Sequence, residues 1–327
     1  MPDDGPTFRH PPAHASAGAG AASTTMAWAD YGLIALMATF WGSSYFFVAV
    51  AGQALPPLTL SALRLVAASL LLLTVLRTMG IALPATVKAW WHLSLFAALN
   101  NPLPFSLIVL AQREVTGGLA SIFQATSPLF ALLLAPWFIA SEHFTWRRLA
   151  GIAVGIIGVA ILADVTAASG SGRAQLYLLG SALCYSCASI YARRNLAGLH
   201  PFAIAGGQSL AGLVQSVAGA VVLEAPWRLA NPAGRVWLAG ILMGMVGSAL
   251  APLCFFTVLR RAGPVNAMLS SILVPVSPIL LGMIFLGEQV HSRELIGVMV
   301  IALALIIIDG RLVAHLHRRF VAAEPRP

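Results

Sequence analysis

Arg64 is the one fully charged side chain that falls well inside an apolar run of this chain. A guanidinium presents paired, planar N–H donors, so at such a position it suits a substrate carboxylate or another anionic group. Placing it at the centre of a bilayer costs on the order of 3 kcal/mol on insertion scales, so it is expected to face a cavity or a protein partner. A structural role competes with the anchor: the side chain could snorkel to the nearer interface or tie down carbonyls freed by broken helices. The residue 144 positions later is Gln208, also polar, which favours an inward-facing position in both places.

Other polar residues interrupt the apolar runs at prolines. The stretch Leu99-Asn100-Asn101-Pro102-Leu103-Pro104-Phe105 combines two amides with two prolines. Each proline removes a backbone donor and clashes with the preceding turn, which frees carbonyls at membrane depth. Gln124, Thr126, Ser127 and Pro128 repeat the theme, as do Ser248 with Pro252, and Ser270, Ser271, Pro275, Ser277 and Pro278. Helix breaks are therefore expected at Pro102, Pro128, Pro252 and Pro278, with Asn101 and Gln124 either meeting polar substrate groups or capping the kinks locally. Trp41 and Tyr185 sit at matching mid-run positions, as walls of a pocket or as packing residues whose N–H and O–H need partners. Cys184 and Cys187 have a CxxC spacing but no second ligand pair, and with Cys254 they read as small buried thiols.

These residues are carried by a chain that is 59% hydrophobic and 9% charged. Soluble domains carry roughly 25% charge, so the fold class is an all-α membrane protein. Ten apolar stretches are long enough to cross a ~30 Å hydrocarbon core: 31–50, 58–76, 90–111, 117–139, 146–163, 175–192, 202–223, 236–259, 265–286 and 293–309. The order repeats. Pro102, Leu103 and Phe105 return as Pro252, Leu253 and Phe255, and Ser127-Pro128 with Glu142, Arg147 and Gly151 returns as Ser277-Pro278 with Glu288, Arg293 and Gly297. The expected organisation is a disordered cytoplasmic tail at 1–30, five-helix repeats at 31–163 and 174–309, and a basic cytoplasmic tail at 310–327. Five is odd, so the second repeat must be inverted relative to the first, forming two walls around a central cavity.

Charge sets the orientation. With both termini cytoplasmic, thirteen of the 19 Lys and Arg residues fall inside and five outside, with Arg64 in a span. That asymmetry follows the positive-inside rule, so the formal charge of +8 requires no nucleic acid. The partners expected are the lipid bilayer and a small-molecule substrate. Gly151, Gly155 and Gly158 allow either pairing with a second copy, as a homodimer, or close packing within one chain.

The runs Thr39-Phe40-Trp41-Gly42-Ser43-Ser44-Tyr45 and Leu63-Arg64-Leu65-Val66-Ala67-Ala68, with the twin Ser-Pro stretches each followed by Glu, resemble the EamA-like members of the drug/metabolite transporter superfamily. The resemblance spans about residues 31–309 and implies a bacterial inner-membrane carrier, with four helices of each repeat lining the cavity and the fifth peripheral. It also implies export of small metabolites such as amino acids. Uptake, or flippase-like movement of a lipidic substrate, remains open because inverted repeats make access nearly symmetric.

Absences narrow the chemistry. Every Asp and Glu falls at a helix end or in a loop, among them Asp30, Glu114, Glu142, Asp164, Glu288, Glu294 and Asp309. The buried carboxylate that small multidrug carriers use to exchange protons for cations is missing. Lys88 is the only lysine, which argues against a sugar-phosphate exchanger. No P-loop, dinucleotide fingerprint or HExxH motif occurs, so no cofactor and no enzymatic activity are expected. His92 is the one histidine inside a span and a candidate for proton coupling.

Overall fold

The computed structural model describes residues 28–140, 142–162 and 171–309. The expected tails lie outside this range except for residues 28–30, which belong to the first helix. The described residues form helices joined by short turns, with no strand among them. In order they are α1 (Trp28–Ala51), α2 (Pro57–Thr78), α3 (Val87–Asn100), α4 (Pro102–Ala111), α5 (Gly117–Gln124), α6 (Ser127–Phe138), α7 (Trp146–Leu162), α8 (Ser171–Asn195) and α9 (Pro201–Leu223). They continue with α10 (Gly234–Leu242), α11 (Ala251–Leu273), α12 (Val276–Leu281) and α13 (Ser292–Asp309).

Local sequence explains the helix starts. Pro57, Pro102 and Pro201 occupy first-turn positions, where a missing N–H costs nothing. Thr86 and Thr116 cap α3 and α5 by accepting from Ala89 N and Leu119 N at 3.3 and 3.2 Å. The first turn of α2 is capped from afar: Glu224, just past α9, accepts from Leu58 N, Thr59 N and the Thr59 hydroxyl at 2.7–2.8 Å. A carboxylate there satisfies orphan donors and complements the helix dipole.

Among the described residues, six helical stretches are long and apolar enough to cross a membrane: Trp28–Ala51, Pro57–Thr78, Val87–Ala111, Gly117–Phe138, Pro201–Leu223 and Gly234–Leu259. The separation of the eighth and ninth expected spans is not seen. Residues 260–264, read as their connection, lie within the continuous helix α11. The corresponding stretch of the first half carries a Thr116 cap and two glycines, whereas Leu259-Arg260-Arg261-Ala262 are good helix formers interrupted only by Gly263-Pro264. Two further segments, Met243–Leu250 and Gly282–Leu286, widen to π-helix.

The turns gather at two ends. At one, Gln53 Nε2 and Arg113 Nε reach the carbonyls of Gln112 and Gly52, Arg173 pairs with Glu114, and Glu224 caps α2. At the other lie Lys88, the α6–α7 linker and the C-terminus of α8, where Glu142 bridges Arg193 at 2.6 Å and Arg148 at 2.7 Å. We refer to these as the Arg173 end and the Lys88 end.

Packing follows a crossed pattern. The helix α1 leans on α10, α11 and α12, while α8 leans on α3, α4, α5 and α6. Between them α2 and α9 pack side by side through two hydroxyl pairs, Ser61–Ser216 and Ser69–Ser209, each at 2.9 Å. The helices α7 and α13 pair likewise. A Cβ at Gly151 or Gly158 would abut Ile308 or Ile301 of α13, and one at Gly155 would strike Leu129. These glycines are therefore spent on contacts within the chain.

The ion pairs at the Lys88 end give a pH expectation. The Arg193 hydrogen bond lowers the Glu142 pKa, burial opposes it, and Arg148 adds to the lowering. A carboxyl depressed in the folded state contributes stability that is complete above its unfolded pKa and lost as pH falls through the folded value. The tie between the α6–α7 linker and α8 should thus hold at neutral pH and fail in acid. Melting curves in detergent are expected to show Glu142→Gln flattening the acid side of the stability profile. Equal acid sensitivity in both proteins would remove Glu142 from that role.

Candidate functional site

The helix breaks bring the polar side chains together. Chain direction changes at Asn101, whose backbone (φ −129°, ψ −87°) is no longer helical, and α4 starts at Pro102. The second break is the turn Ala125–Thr126, ahead of Ser127-Pro128. A third turn, Val274–Pro275, precedes α12, in which Pro278 occupies the first turn. At Pro252 there is no interruption; the preceding π segment, Met243–Leu250, absorbs the missing donor and runs into α11.

Arg64 lies on α2 with 7% of its surface exposed, as does Asn101 at the first break. The guanidinium donates from Nη1 to Ser248 Oγ at 2.8 Å and from Nη2 to Asn101 Oδ1 at 3.2 Å. Its central carbon stands 4.0 Å from the centroid of the Phe105 ring, a cation–π contact. Tyr185 lies within electrostatic range of it, and Tyr45 within range of Tyr185. Close approach of the backbone frames the group: a Cβ at Gly244 would collide with the Arg64 carbonyl oxygen and come within 2.9 Å of Ala67 Cβ.

Two donors in this cluster lack an acceptor among the described residues. They are Arg64 Nε and Asn101 Nδ2, both buried. Buried donors without partners carry a desolvation penalty of about 1–3 kcal/mol each. Among the described residues no carboxylate pairs with Arg64. Glu114 and Glu142 bind arginines, Glu224 caps α2, and Glu294 faces His291 at 3.6 Å. Glu288, past the last π segment, is pushed up by burial while the Gly117 N–H holds it down.

The remaining sequence-derived positions divide into two groups. Gln208 does not reach Arg64; it accepts from Asn100 Nδ2 at 2.8 Å, so the two neighbouring amides of the break serve the two opposed helices α2 and α9. Gln124 is satisfied by its own break and by α8: its Nε2 donates to Ser127 Oγ at 2.7 Å and its Oε1 accepts from Ser181 Oγ at 3.2 Å. Ser186 of α8 then donates to the Ser127 carbonyl at 2.6 Å. Trp41 stacks obliquely on Phe255 at 5.6 Å, while Tyr185 packs beside the core around Tyr45 and Phe123. The three cysteines are free and partly buried.

Sequence reasoning missed Phe105 as a partner of the guanidinium, though its recurrence as Phe255 marked the position. It also missed a cavity of about 480 Å³ lined by His92, Leu99, Leu134, Phe138, Cys187 and Arg194, where α3, α6 and α8 meet at the Lys88 end. Inside it, His92 Nδ1 and the Tyr191 hydroxyl share a 2.6 Å hydrogen bond.

Membrane-length apolar helices that enclose a charged, broken-helix interior mark a membrane transport protein. Comparison with known proteins makes the assignment specific: residues 29–163 and 172–309 each match the EamA-like transporter family. The chain belongs to that family. It is 26% identical to the uncharacterized inner membrane transporter YedA of Escherichia coli, over 85% of this chain and 90% of that protein. It is likewise 26% identical to the protein PecM of Dickeya dadantii, over 82% and 88% of the respective chains. A crystal structure with 20% sequence identity shares the fold at a TM-score of 0.63, covering 84% of this chain and 96% of the other.

Proposed function

We propose that this protein is a carrier that exports small metabolites such as amino acids across the bacterial inner membrane by alternating access. In this reading ten spans form two inverted five-helix repeats, and Arg64 anchors the substrate carboxylate. The observation that carries it is the buried guanidinium, which among the described residues has no carboxylate partner and stands with two unpaired donors, Arg64 Nε and Asn101 Nδ2, calling for an acceptor supplied from outside. The crossed packing of α1 and α8, and the side-by-side pairs α2–α9 and α7–α13, support a two-fold arrangement of repeats. Trp41, Tyr185, Gln124 and Gln208 would line or brace the path rather than bind charge. A resident cofactor has no part in this mechanism.

The test is counterflow in proteoliposomes, guided by a metabolite screen of cells with and without the protein. Carboxylate substrates should exchange, and loss of exchange in a folded Arg64 variant should follow. Robust exchange of lipophilic cations, with no carboxylate exchanged, would refute the reading.

Orientation is tested separately. Both termini and the Lys88 end are proposed to be cytoplasmic. A cysteine placed at Gly198, beyond α8, should be labelled from the cytoplasm, and one at Leu229, near the Arg173 end, from outside. Labelling of both from one face would sink the inverted-repeat model.

A further inference from the structure

The surroundings of Arg64 constrain more than one end of the substrate. Among the described residues, the side chains that hydrogen-bond the guanidinium are neutral: Ser248 through Oγ and Asn101 through Oδ1. The unpaired atoms there are donors, Arg64 Nε and Asn101 Nδ2. The seven described Asp and Glu residues all lie at helix ends or in turns: Asp30 in the first turn of α1, Asp309 at the last position of α13, and between them Glu114, Glu142, Glu224, Glu288 and Glu294. An ammonium group brought to this cluster would meet a like charge with no carboxylate to pair with, in a place where desolvation makes charge costly. A carboxylate, by contrast, would complete both orphan donors.

An apolar cavity adjoins the helix that leads into the cluster. The cavity at the Lys88 end has Leu99 among its lining residues, directly before the Asn100–Asn101 break that holds Gln208 and Arg64. Leu134, Phe138 and Ile190 are among its apolar lining residues, and exposed Arg194 stands beside them. Its volume of about 480 Å³ falls in the range of small-molecule sites, roughly 300–1,000 Å³. At the cluster, the Phe105 ring covers one side of the guanidinium.

We propose that the substrate is an apolar monocarboxylate, an aryl- or alkyl-substituted acid without a free ammonium group, drawn in past Arg194 and held at Arg64. The proposal rests on the carboxylate-anchor reading but departs from the amino-acid example given with it: the zwitterionic form of an amino acid is discriminated against. The cavity selects an apolar body, and the two unpartnered donors beside the guanidinium select an unaccompanied negative charge.

A matched pair of solutes decides it. 3-Phenylpropionate and phenylalanine share a ring, a chain and a carboxylate, and differ by one ammonium group. Counterflow by the full-length protein in proteoliposomes should half-saturate at a concentration at least about tenfold lower for 3-phenylpropionate. Filling the cavity with Leu134→Trp should slow 3-phenylpropionate more than lactate, an acid with no apolar body. Phenylalanine exchanging as well as the plain acid, with both lost in Arg64→Gln, would overturn this proposal and leave the anchor standing. Lactate matching 3-phenylpropionate in the wild type would overturn the apolar-body requirement, and the proposal with it. Undiminished 3-phenylpropionate exchange in a folded Arg64→Gln protein would remove the anchor itself, and this inference would fall with it.

Discussion

Arg64→Gln is expected to weaken apparent affinity for carboxylate substrates by about 10–150-fold, the equivalent of losing one charge-assisted hydrogen bond of roughly 1.5–3 kcal/mol. Folding should survive, because glutamine keeps a donor for Ser248 Oγ or Asn101 Oδ1, the two acceptors that Arg64 now satisfies. Arg64→Lys should fall between wild type and glutamine: it preserves the charge but loses the planar fork that reaches both partners at once. Gln208→Ala is the control for position. Gln208 holds Asn100 and carries no charge, so its loss should cost less. Apparent affinity from counterflow, beside melting temperature in detergent, checks the series. A collapse of thermal stability in Arg64→Gln would assign the residue to structure, and unchanged affinity in a folded variant would remove it from the site.

Gly42→Ala is expected to destabilise the protein by about 1–3 kcal/mol, the usual cost of forcing a methyl group into a filled joint. Gly42 lies on α1 against α12, where an added Cβ would collide with Ser277 Oγ and the Val274 carbonyl and come within 2.9 Å of Pro278 Cδ. Backbone and a proline ring leave little room for adjustment. Gly32→Ala, on the same helix, provides the comparison: nothing lies within 4 Å of its new methyl group. There the better helix propensity of alanine should leave stability equal or slightly higher. If the two variants melt alike, the α1–α12 contact is softer than its geometry indicates.

Much of this arrangement was legible before any coordinates. Membrane-length apolar runs placed most helices within a few residues, because span length follows from bilayer thickness. The polar-proline clusters marked the breaks at Asn101 and at Ala125–Thr126, and the cost of a buried guanidinium pointed Arg64 inward. What could not be read depends on contacts distant in sequence. Nothing near Glu224 announces that it caps α2, 165 and 166 residues away. Gln208 was a repeat counterpart of Arg64, yet it binds Asn100, and only the packing of α3 against α9 decides that. The π segment ahead of Pro252 has no distinctive composition; a proline can be accommodated by widening a helix as well as by breaking it.

The crossed packing of the two first helices has a consequence in time. Ser186 of α8 meets the Ser127 turn that was synthesised before it, whereas Gly42 of α1 meets a Ser277 turn that is synthesised long after it. At ribosomal speeds of about 5–20 residues per second, α1 waits on the order of 10–50 s for its partner while α8 finds its own already made. During that interval the face of α1 bearing Trp41 and Gly42 must rest on lipid or on a temporary neighbour. Two helices that look equivalent in the finished molecule therefore have different histories: α8 closes a surface that exists, and α1 is a surface kept open.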